Sequence, residues 1–408
     1  MFNSHFNNFT LGYCTNVHAG TGLAQIQENL ANVSTQAACQ LGGSDTHLGI
    51  GLWIPHRAAE ELQKESECDS FREFLSRQNL FAYTVNGFPY DNFHQKVVKQ
   101  KVYVPGWWSD TRHAYTKQLA NSLARLLPED QTLGSISTLP LGWPNNEFDS
   151  FSSREQSELH DAAGQRFRAL AKELQQLERD SGRRIVVAIE PEPGCCLDTT
   201  EDIVNFFDTQ LKDAVDRKYI TVCHDICHSA VMMESQTQVL RRYADQGIKI
   251  GKIQVSSAIV VDWQKIKTAD HASALNQLRD FAEDRYLHQT GRVQADGEFA
   301  LANDLPELLN CESVDDQLWA IHFHVPIFLE KIGLLGTTRD DVVECLRTII
   351  ESGVSSESSI DFTGHLEVET YAWTVLPQEM RKRGLAQDIA SELQWLYDSL
   401  TEIKSQTV

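Results

Sequence analysis

Short apolar runs, rich in β-branched and aromatic residues, recur along the chain and are separated by stretches with a different hydrophobic spacing. Runs of this kind, bounded by turn-forming residues, are typical of buried β-strands. Eight of them predict strands, at residues 11–18, 48–54, 80–88, 133–141, 184–190, 219–224, 248–255 and 365–370.

Several of the intervening stretches have the spacing of a helix. A Ser152-x-x-Glu155 capping box precedes apolar residues three and four positions apart, which predicts a helix over 152–177. The same spacing predicts a helix that begins near Thr338 and Asp341, and another close to the C-terminus. The apolar residues of the three stripes are Phe167, Leu170, Leu174 and Leu177, then Val342, Cys345 and Ile349, and then Ile389, Leu393, Leu396 and Leu400.

The eightfold strand–helix alternation predicts a (β/α)8 TIM barrel, since eight such units close a parallel sheet on itself. A doubly wound open sheet also alternates, but the sequence has no G-x-G-x-x-G or G-x-x-x-x-G-K-[ST] loop after a strand. The interval between strands seven and eight is much longer than the others. We therefore expect an insertion at about 262–335, on the active face, with a helix at 263–287 and strand-like runs at 293–299 and 319–328. Since no Pro/Gly/Ser-rich linker flanks it, we expect residues 1–408 to form a single domain.

Composition restricts the partners and the compartment. Against 36 Lys and Arg the chain has 57 Asp and Glu, a net charge of −21, which disfavours nucleic acid and anionic membrane surfaces as partners. No apolar run approaches the roughly 18 residues of a membrane span. The nine cysteines are an odd number with two adjacent, Cys195 and Cys196, and the N-terminus does not resemble a secretory signal. We therefore expect reduced thiols and a cytoplasmic protein.

The predicted strand ends carry acidic and imidazole side chains. Glu190 and Glu192 follow strand five, and Asp225-x-x-His228 follows strand six. Strand eight carries Glu367 and Glu369 on one face, and the insertion carries His322-x-His324. A carboxylate in a barrel strand is costly unless it is paired or binds a cation, so Glu, Asp and His converging from separate strands indicate a divalent metal, Mn²⁺, Mg²⁺ or Zn²⁺.

Plainer interpretations stand beside this one. A single acidic residue at a strand end is more often a salt bridge or a loop cap. Cys223, Cys227 and His228 could indicate structural zinc, but the sequence has no second C-x-x-C. The aromatic residues after the strand ends either pack in the core or form a substrate-facing wall. On the second interpretation the predicted substrate-binding residues are His18, Trp53, Asn86, Trp108 and Lys252.

At Glu190-Pro191, Asp225-x-x-His228 and Glu369-x-Tyr371 the chain resembles the xylose-isomerase-like TIM-barrel superfamily. This group contains sugar isomerases, ketose 3-epimerases and, more distantly, apurinic endonucleases. The segments YCTNVH at 13–18, NGFPY at 86–90 and HFHVP at 322–326 resemble more closely the EboE "metabolite traffic" proteins. Those proteins are associated with bacterial gene clusters for the export or maturation of secondary metabolites.

The resemblance implies a set of ligands. Glu190, Asp225 and Glu369 correspond to three metal ligands, and Glu190 and Glu369 also to the two catalytic acid/base groups. The family usually provides a His from strand seven, where this chain has Gln254. The resemblance therefore implies Gln254 itself, or His324 or His322 from the insertion, as the fourth ligand, with Mn²⁺ or Mg²⁺ favoured and Zn²⁺ as the alternative. The residues left as additional ligands, or as groups that orient the ligands, are Glu192, His228, His322 and Glu367.

Three functions are compatible with these features. The first is a divalent-metal isomerase or epimerase that acts on a sugar, polyol or cyclitol-like metabolite in secondary-metabolite biosynthesis or traffic, and that forms a homodimer as many family members do. The second is a zinc phosphodiesterase related to the apurinic endonucleases. The third is a non-catalytic barrel that binds a metabolite within an export or assembly system. In that third case we expect the strand-end carboxylates to be paired with Lys252 or with Arg side chains.

Overall fold

A computed structural model of the chain describes residues 2–144, 151–310, 314–353, 359–381 and 383–407. Eight parallel strands form a closed barrel in which β8 pairs with both β7 and β1, so the predicted TIM barrel is confirmed. The strands are β1 (Phe9–Cys14), β2 (Leu48–Trp53), β3 (Leu80–Asn86), β4 (Leu133–Thr138), β5 (Arg184–Ile189), β6 (Ile220–Asp225), β7 (Ile250–Val255) and β8 (His365–Val368). A short strand, His5–Phe6, pairs antiparallel with β1.

Helices separate the strands along the chain and cover the barrel. They are α1 (Leu23–Asn29), α2 (Thr35–Gly42), α3 (His56–Glu61), α4 (Glu65–Arg77), α5 (Asp110–Leu126), α6 (Ser153–Ser181), α7 (Thr200–Gln210), α8 (Ala214–Tyr219), α9 (Ile226–Val231), α10 (Gln236–Asp245), α11 (His271–Arg279), α12 (Arg339–Ser352) and α13 (Leu385–Thr407). A π-helical turn, Leu30–Ser34, joins α1 to α2. Short 3₁₀ helices form at Thr15–Val17, Lys99–Tyr103, Thr268–Asp270, Leu305–Glu307, Tyr371–Thr374 and Gln378–Arg381.

The three helices predicted from their apolar stripes are all present, as α6, α12 and α13. The capping box before α6 forms as predicted, because the Ser152 side chain accepts from the Glu155 amide while the Glu155 carboxylate accepts from the Ser152 amide. Local spacing and cap chemistry were sufficient for these elements, since each depends on residues close together in sequence.

Several predicted strands were too long at their C-terminal ends. The run at 11–18 stops at Cys14 and turns into a 3₁₀ helix, and the run at 133–141 stops at Thr138. Leu139 and Leu141 are nevertheless fully buried, and Leu141 has a backbone φ of +66°, which no strand residue adopts. An apolar run indicates burial, and burial continues past the point where ladder pairing ends.

The chain between β7 and α12 forms a second, antiparallel sheet. Its strands are, in spatial order, Phe299–Ala302, Thr290–Val293, Leu318–Ile321, Ile259–Asp262, Leu335–Thr337 and Lys331–Ile332. These strands run from Ile259 to Thr337, around the insertion predicted at about 262–335. That the whole chain is a single domain remains a prediction.

Inside the insertion the predicted elements differ from the observed ones. The helix expected over 263–287 is confined to α11, with a 3₁₀ turn before it. The run at 293–299 is a hairpin connection, in which the Gln294 amide donates to the Glu298 carbonyl and Gly297 has a φ of +88°. The run at 319–328 is a strand only as far as Ile321, so His322 and His324 lie on irregular chain beyond it.

Two findings bear on the expectations from composition. Within the described ranges, the helices are all too short or too polar to cross a membrane. The cysteines in those ranges, Cys195 and Cys196 among them, are free thiols.

Candidate metal centre

Three carboxylates from three different strands meet at the C-terminal end of the barrel. Glu190 follows β5 directly, Asp225 is the last residue of β6, and Glu369 follows β8. Each offers an oxygen that lies within 4.8 Å of the others. Their exposed fractions are only 3%, 2% and 4%. Such a concentration of buried negative charge requires compensation.

Backbone pairing fixes where these side chains emerge. The Glu190 amide donates to the Thr138 carbonyl at 2.9 Å, and the Glu369 amide donates to the Val255 carbonyl at 3.1 Å. Both residues therefore still follow the parallel ladder, although they lie one residue beyond its regular part. Because parallel strands all end at the same rim, residues this far apart in sequence converge there.

Asp225 is held by its own helix and by the next strand end. Its Oδ1 accepts from the His228 amide at 3.0 Å, as the N-cap of α9, and from the Ser256 hydroxyl at 2.7 Å. These bonds use one oxygen and leave Oδ2 without a hydrogen-bond partner among the described residues, 3.9 Å from His228 Nε2 and 4.0 Å from His324 Nε2.

Glu369 is oriented by two side-chain amides that come from the ends of β1 and β3. Asn16, after β1, and Asn86, at the end of β3, donate through Nδ2 to Glu369 Oε1 at 2.7 and 2.9 Å. Two donors on one oxygen fix the carboxylate plane and leave the second oxygen on the side of the other acids.

The pKa values of the three acids show how burial and mutual repulsion act on their charges. Burial, opposed by His228 and reinforced by the neighbouring Asp225 carboxylate, raises the pKa of Glu190 to about 8. Burial, followed by the charges of Glu190 and Asp225, raises the pKa of Glu369 well above its usual range. Burial also acts to raise the pKa of Asp225, but His228, His324 and the hydrogen bonds outweigh it and hold that pKa low.

His324 reaches the cluster from the insertion. Its Nδ1 donates to the Glu369 carbonyl oxygen at 2.8 Å, which leaves Nε2 as the unprotonated nitrogen, 4.0 Å from Asp225 Oδ2. Burial lowers the pKa of His324 to about 4, so the ring is neutral. A hydrogen bond from Nδ1 to a carbonyl is the usual way in which a protein fixes the tautomer of a metal-binding imidazole.

His228 and His322 form a second imidazole pair beside the first group. The Nδ1 of His228 donates to the Pro191 carbonyl and that of His322 donates to Gln289 Oε1, each at 2.8 Å. Their Nε2 atoms then face each other at 3.1 Å. Two lone pairs at this distance require a shared proton or a cation between them. Glu192 joins this pair as a third group with ligand atoms.

Glu192 is itself oriented by residues of two loops. Its Oε1 accepts from the Tyr103 hydroxyl at 2.7 Å and lies 3.4 Å from Gln289 Nε2. Burial raises the pKa of Glu192, although His228 opposes the effect. A cation held by Glu192 and the imidazole pair would oppose this effect, because a positive charge favours the ionised carboxylate.

The unpartnered atoms provide a test of whether a cation fits. Within the described part of the chain, Glu190 Oε2, Asp225 Oδ2 and His324 Nε2 are buried and have no hydrogen-bond partner, and the same holds for both amide atoms of Gln254. Gln254 lies opposite Asp225 in the ladder, so its side chain is on the same face. Buried polar atoms are rarely left without partners. An oxygen-rich set with one neutral imidazole is what a divalent cation such as Mn²⁺ or Mg²⁺ takes, so the residues fit such an ion.

Lys252 and Glu367 form an ion pair deeper in the barrel. The Lys252 Nζ lies 2.6 Å from Glu367 Oε2, and both side chains are fully buried. Gly51 on β2 makes room for the pair, because a Cβ there would be 1.2 Å from Glu367 Oε1. We expected Glu367 as an additional ligand or orienting group and Lys252 as a substrate-binding residue. Instead the two neutralise each other one layer below the carboxylate cluster.

A cavity of about 60 Å³ lies above the carboxylates, and the space of about 510 Å³ between its walls also includes open solvent. The 3₁₀ helix Lys99–Tyr103 and the insertion form much of its roof. Of the expected substrate-binding residues, Asn86 lines it, together with the metal-type residues Glu190, Glu192, His228, His322, His324 and Glu369.

His18, Trp53 and Trp108 do not line this cavity. His18 is bonded through Nε2 to the Tyr13 hydroxyl at 2.9 Å, and burial lowers its pKa to about 3. The Trp53 indole donates to the Pro89 carbonyl at 3.1 Å. Trp108 covers Gly142, where a Cβ would meet its ring at 2.3 Å. Each of these side chains packs within the protein. Its position after a strand end in the sequence could not show whether it would line the cavity.

Four residues that orient the cluster were not among those predicted. Ser256 directly follows β7 and Asn16 lies two residues after β1, so their position after a strand was an available signal. Tyr103 ends a short 3₁₀ helix and Gln289 precedes a strand of the insertion, and no periodicity marks either as a functional residue.

Solved structures give the comparison that decides the fold. A D-tagatose 3-epimerase-like protein superimposes with a TM-score of 0.51 at 12% sequence identity, and the alignment covers 98% of this chain and 99% of that one. A xylose isomerase-like TIM barrel protein from Mycobacterium smegmatis, solved in complex with magnesium, gives a TM-score of 0.51 at 11% identity, over 99% of this chain and 100% of that one. This chain has a xylose isomerase-like TIM-barrel fold.

The sequence itself matches no family model and no curated protein. At identities this low, the likeness extends to the xylose isomerase-like fold and not to an activity. The closer resemblance to the EboE proteins stays a prediction, since neither of these two structures carries that name.

Proposed function

We propose that the protein is a divalent-metal-dependent isomerase or epimerase of a sugar- or polyol-like compound. The observation that carries the proposal is the convergence of three carboxylates, Glu190, Asp225 and Glu369, with His324 beside Asp225. Glu190 Oε2, Asp225 Oδ2 and His324 Nε2 are buried there without a hydrogen-bond partner among the described residues. Of the carboxylates at the strand ends, Glu367 is paired with Lys252, as we expect for the non-catalytic barrel. Within the described part of the chain, however, Glu190, Asp225 and Glu369 have only His side chains in salt-bridge range, and these three carboxylates argue against that function.

Glu190, Asp225, Glu369 and His324 would hold the ion, with Gln254 as a weaker neutral ligand. When bound, a divalent cation supplies a Lewis acid that polarises a carbonyl and stabilises the negative charge of an enediolate. The carboxylate-rich set favours Mn²⁺ or Mg²⁺, with Zn²⁺ as the alternative because of the imidazole.

The proton transfers are assigned to Glu190 and Glu369. One carboxylate takes the proton from the carbon next to the carbonyl, and the C–H electron pair enters the enediolate. The other carboxylate returns a proton to the opposite face of the same carbon, which inverts it. Return to the neighbouring carbon moves the carbonyl instead, which is isomerisation. Both acids line the same cavity, as this division of roles requires.

The test combines metal analysis with isotope exchange. The purified protein is loaded with Mn²⁺ or Mg²⁺, its bound metal is measured, and D-tagatose and D-fructose are followed by proton NMR in D₂O for loss of the C3 and C1 proton signals. Glu190→Gln and Glu369→Gln are expected to lower both the bound metal and the exchange rate. Asp208→Asn, on the exposed surface of α7, serves as the matched control. The assignment would be overturned if both site variants bound as much metal as the unmodified protein and exchanged the substrate protons at the same rate.

The second ligand group favours a variant with more than one ion. Glu192, His228 and His322 converge beside the first group, and two metal ions would support isomerisation by hydride shift or hydrolysis of a phosphate ester as in a zinc phosphodiesterase. The net charge of −21 argues against DNA as the ester. Counting bound ions by anomalous scattering separates these cases: three zinc ions favour the hydrolase, and a single six-coordinate ion favours the epimerase.

Three further parts of the proposal rest on the sequence alone. They are the cytoplasmic location, the homodimer, and a role in secondary-metabolite biosynthesis or traffic. Sedimentation at several protein concentrations tests the second directly.

A further inference from the structure

One side of the cavity above the carboxylates is an aromatic wall. The rings of Phe93, Tyr286 and Tyr371 contact one another, with centroids 4.8 Å apart for Phe93 and Tyr286, 5.3 Å for Phe93 and Tyr371, and 5.0 Å for Tyr286 and Tyr371. Tyr371 also contacts His324, at 4.7 Å between centroids. The wall therefore begins at a candidate metal ligand and extends away from it.

A second aromatic wall belongs to the same cavity. Phe88 and Tyr103 have centroids 6.0 Å apart, and Trp143 stacks behind Tyr103 at 5.0 Å. Aliphatic side chains, Val98, Val102 and Leu287, complete the lining between the two walls. The part of the cavity away from the carboxylates is thus lined mainly by carbon.

Several polar atoms along these walls are already used within the protein. The Tyr286 hydroxyl donates to the Phe93 carbonyl at 3.2 Å, and the Tyr103 hydroxyl donates to Glu192. Asn86 accepts from the Phe88 amide at 3.0 Å through Oδ1, while its Nδ2 donates to Glu369. Beside Glu369, Asn16 Oδ1 is a buried acceptor without a partner among the described residues and could bind one substrate hydroxyl. A row of hydroxyl groups farther along the walls would meet few free donors or acceptors, and buried hydroxyl groups without partners are costly.

A phosphate group has no cationic partner here either. Among the described residues that line the cavity, Lys99 is the single cationic Lys or Arg, and it forms an ion pair with Asp304 from the insertion. A phosphate would have to displace that carboxylate and would lie beside Glu192 and the other acids. The lining thus disfavours both a phosphorylated and a long polyhydroxylated tail.

We infer that the substrate joins a short α-hydroxyketone head, of one carbonyl and its adjacent hydroxyl groups, to an apolar or aromatic tail that lies between the two aromatic walls. The inference rests on the proposed function, which places the head at the carboxylates. The inference goes beyond the proposed function because it assigns the chemical class of the rest of the substrate. Apolar and aromatic tails gain from such walls by burial and ring contact, whereas each hydroxyl on the tail loses its water.

Three probes with the same head separate the alternatives. They are 1,3-dihydroxy-4-phenylbutan-2-one, L-erythrulose, which has a hydroxyl in place of the phenyl ring, and D-fructose 6-phosphate. Binding to the Mg²⁺-loaded protein is measured by titration calorimetry, and exchange of the C3 proton is measured by NMR in D₂O. We expect the phenyl probe to bind at least about tenfold more tightly than the other two, the discrimination that an apolar pocket typically provides. Equal or tighter binding of L-erythrulose or the phosphate would overturn the inference.

Binding and proton exchange can contradict the tail assignment and the proposed epimerisation independently of each other. Tight and selective binding of the phenyl probe without C3 exchange would contradict the proposed epimerisation and retain the tail assignment. Exchange of L-erythrulose or the phosphate with no preference for the phenyl probe would retain the epimerisation and overturn the tail assignment.

A matched pair of valines on one segment provides the control. Val102 lines the cavity, whereas Val97 is 41% exposed. Val102→Asn is expected to reduce the preference for the phenyl probe over L-erythrulose by about tenfold, since it places an amide against the tail. Val97→Asn is expected to leave that preference unchanged. Bound metal is measured in both variants, so that a folding defect is recognised. If Val102→Asn fails to fold, Leu287→Asn tests the same aliphatic part of the lining. An unchanged preference in the folded cavity variant would overturn the inference.

Discussion

Replacement of Lys252 by Met is the sharpest test of how the barrel interior is organised. Lys252 and Glu367 are both fully buried, and the ammonium lies 2.6 Å from the carboxylate. Met has a similar length and removes only the charge. It leaves Glu367 without its cation, enclosed by Gly51 on one side and close to the Glu369 and Glu190 cluster on the other.

The magnitude follows from the isolation of the remaining charge. Breaking a buried ion pair by removal of one partner costs about 3–5 kcal/mol, because the other charge loses its compensation, whereas replacing both partners with neutral groups of similar size is often nearly neutral. We therefore expect Lys252→Met to lower the free energy of unfolding by about 3–5 kcal/mol. We expect the double variant Lys252→Met/Glu367→Gln to recover most of that loss.

The assay is urea denaturation followed by circular dichroism, with bound metal measured on the same samples. The control is Lys249→Met, which removes the cation of the Lys249–Asp361 pair just before the same strand and is expected to cost at most about 1 kcal/mol. A loss below about 1 kcal/mol in Lys252→Met, or a double variant less stable than the single one, would refute the buried-pair argument. A substrate-binding role for Lys252 would instead leave the denaturation midpoint in place.

Other predictions test the orientation of the ligands, the buried carboxyl on α13 and the space in the barrel. Ser256→Ala removes the hydroxyl that donates to Asp225 Oδ1, and we expect metal affinity, measured by competition with a chelator, to fall by about 10–100-fold; an unchanged affinity would contradict the orienting role. Burial raises the pKa of Glu392 to about 7, so the folded state holds the Glu392 proton more tightly than the unfolded state does. Glu392 therefore favours folding at low pH, and this contribution to stability is lost as the pH rises through 7. The Glu392→Gln variant should therefore show a flatter dependence of the free energy of unfolding on pH between about 4.5 and 7, measured by urea titration at each pH; the same slope in both proteins would refute it. Gly51→Ala introduces a Cβ 1.2 Å from Glu367 Oε1 and should lower the free energy of unfolding by about 1–3 kcal/mol, whereas Gly247→Ala, where nothing lies within 4 Å of the added Cβ, should show only the cost of its positive φ.

Parts of the candidate site could be predicted because they depend on local order. Glu190, Asp225 and Glu369 each follow or end a strand, and the ends of parallel barrel strands meet at one rim. Counting strands was therefore enough to bring the three carboxylates together before any distance was known. His324 was expected to reach in from the insertion, and its ring does lie beside Asp225.

Other parts depend on contacts that no local pattern encodes. Lys252 and Glu367 are 115 positions apart, and whether they bind a ligand or each other depends on which layer of the barrel each side chain enters. The aromatic residues after the strands look alike in sequence, yet Phe93 and Tyr371 face the cavity whereas Trp53 is bonded to a backbone carbonyl. The insertion was read as a helix with strands and is mainly an antiparallel sheet, because its short segments are stabilised by pairing across long intervals.

The sequence by itself thus determined the barrel, its eight strands and the acidic character of its C-terminal rim, since periodicity and strand order are properties of the chain alone. The tertiary structure decided which charges neutralise one another, which nitrogen of each imidazole is free, and which aromatic rings enclose the cavity. Those outcomes depend on side-chain direction and on partners distant in sequence, and only the closed barrel with its roof brings these groups within hydrogen-bonding and ion-pairing distance.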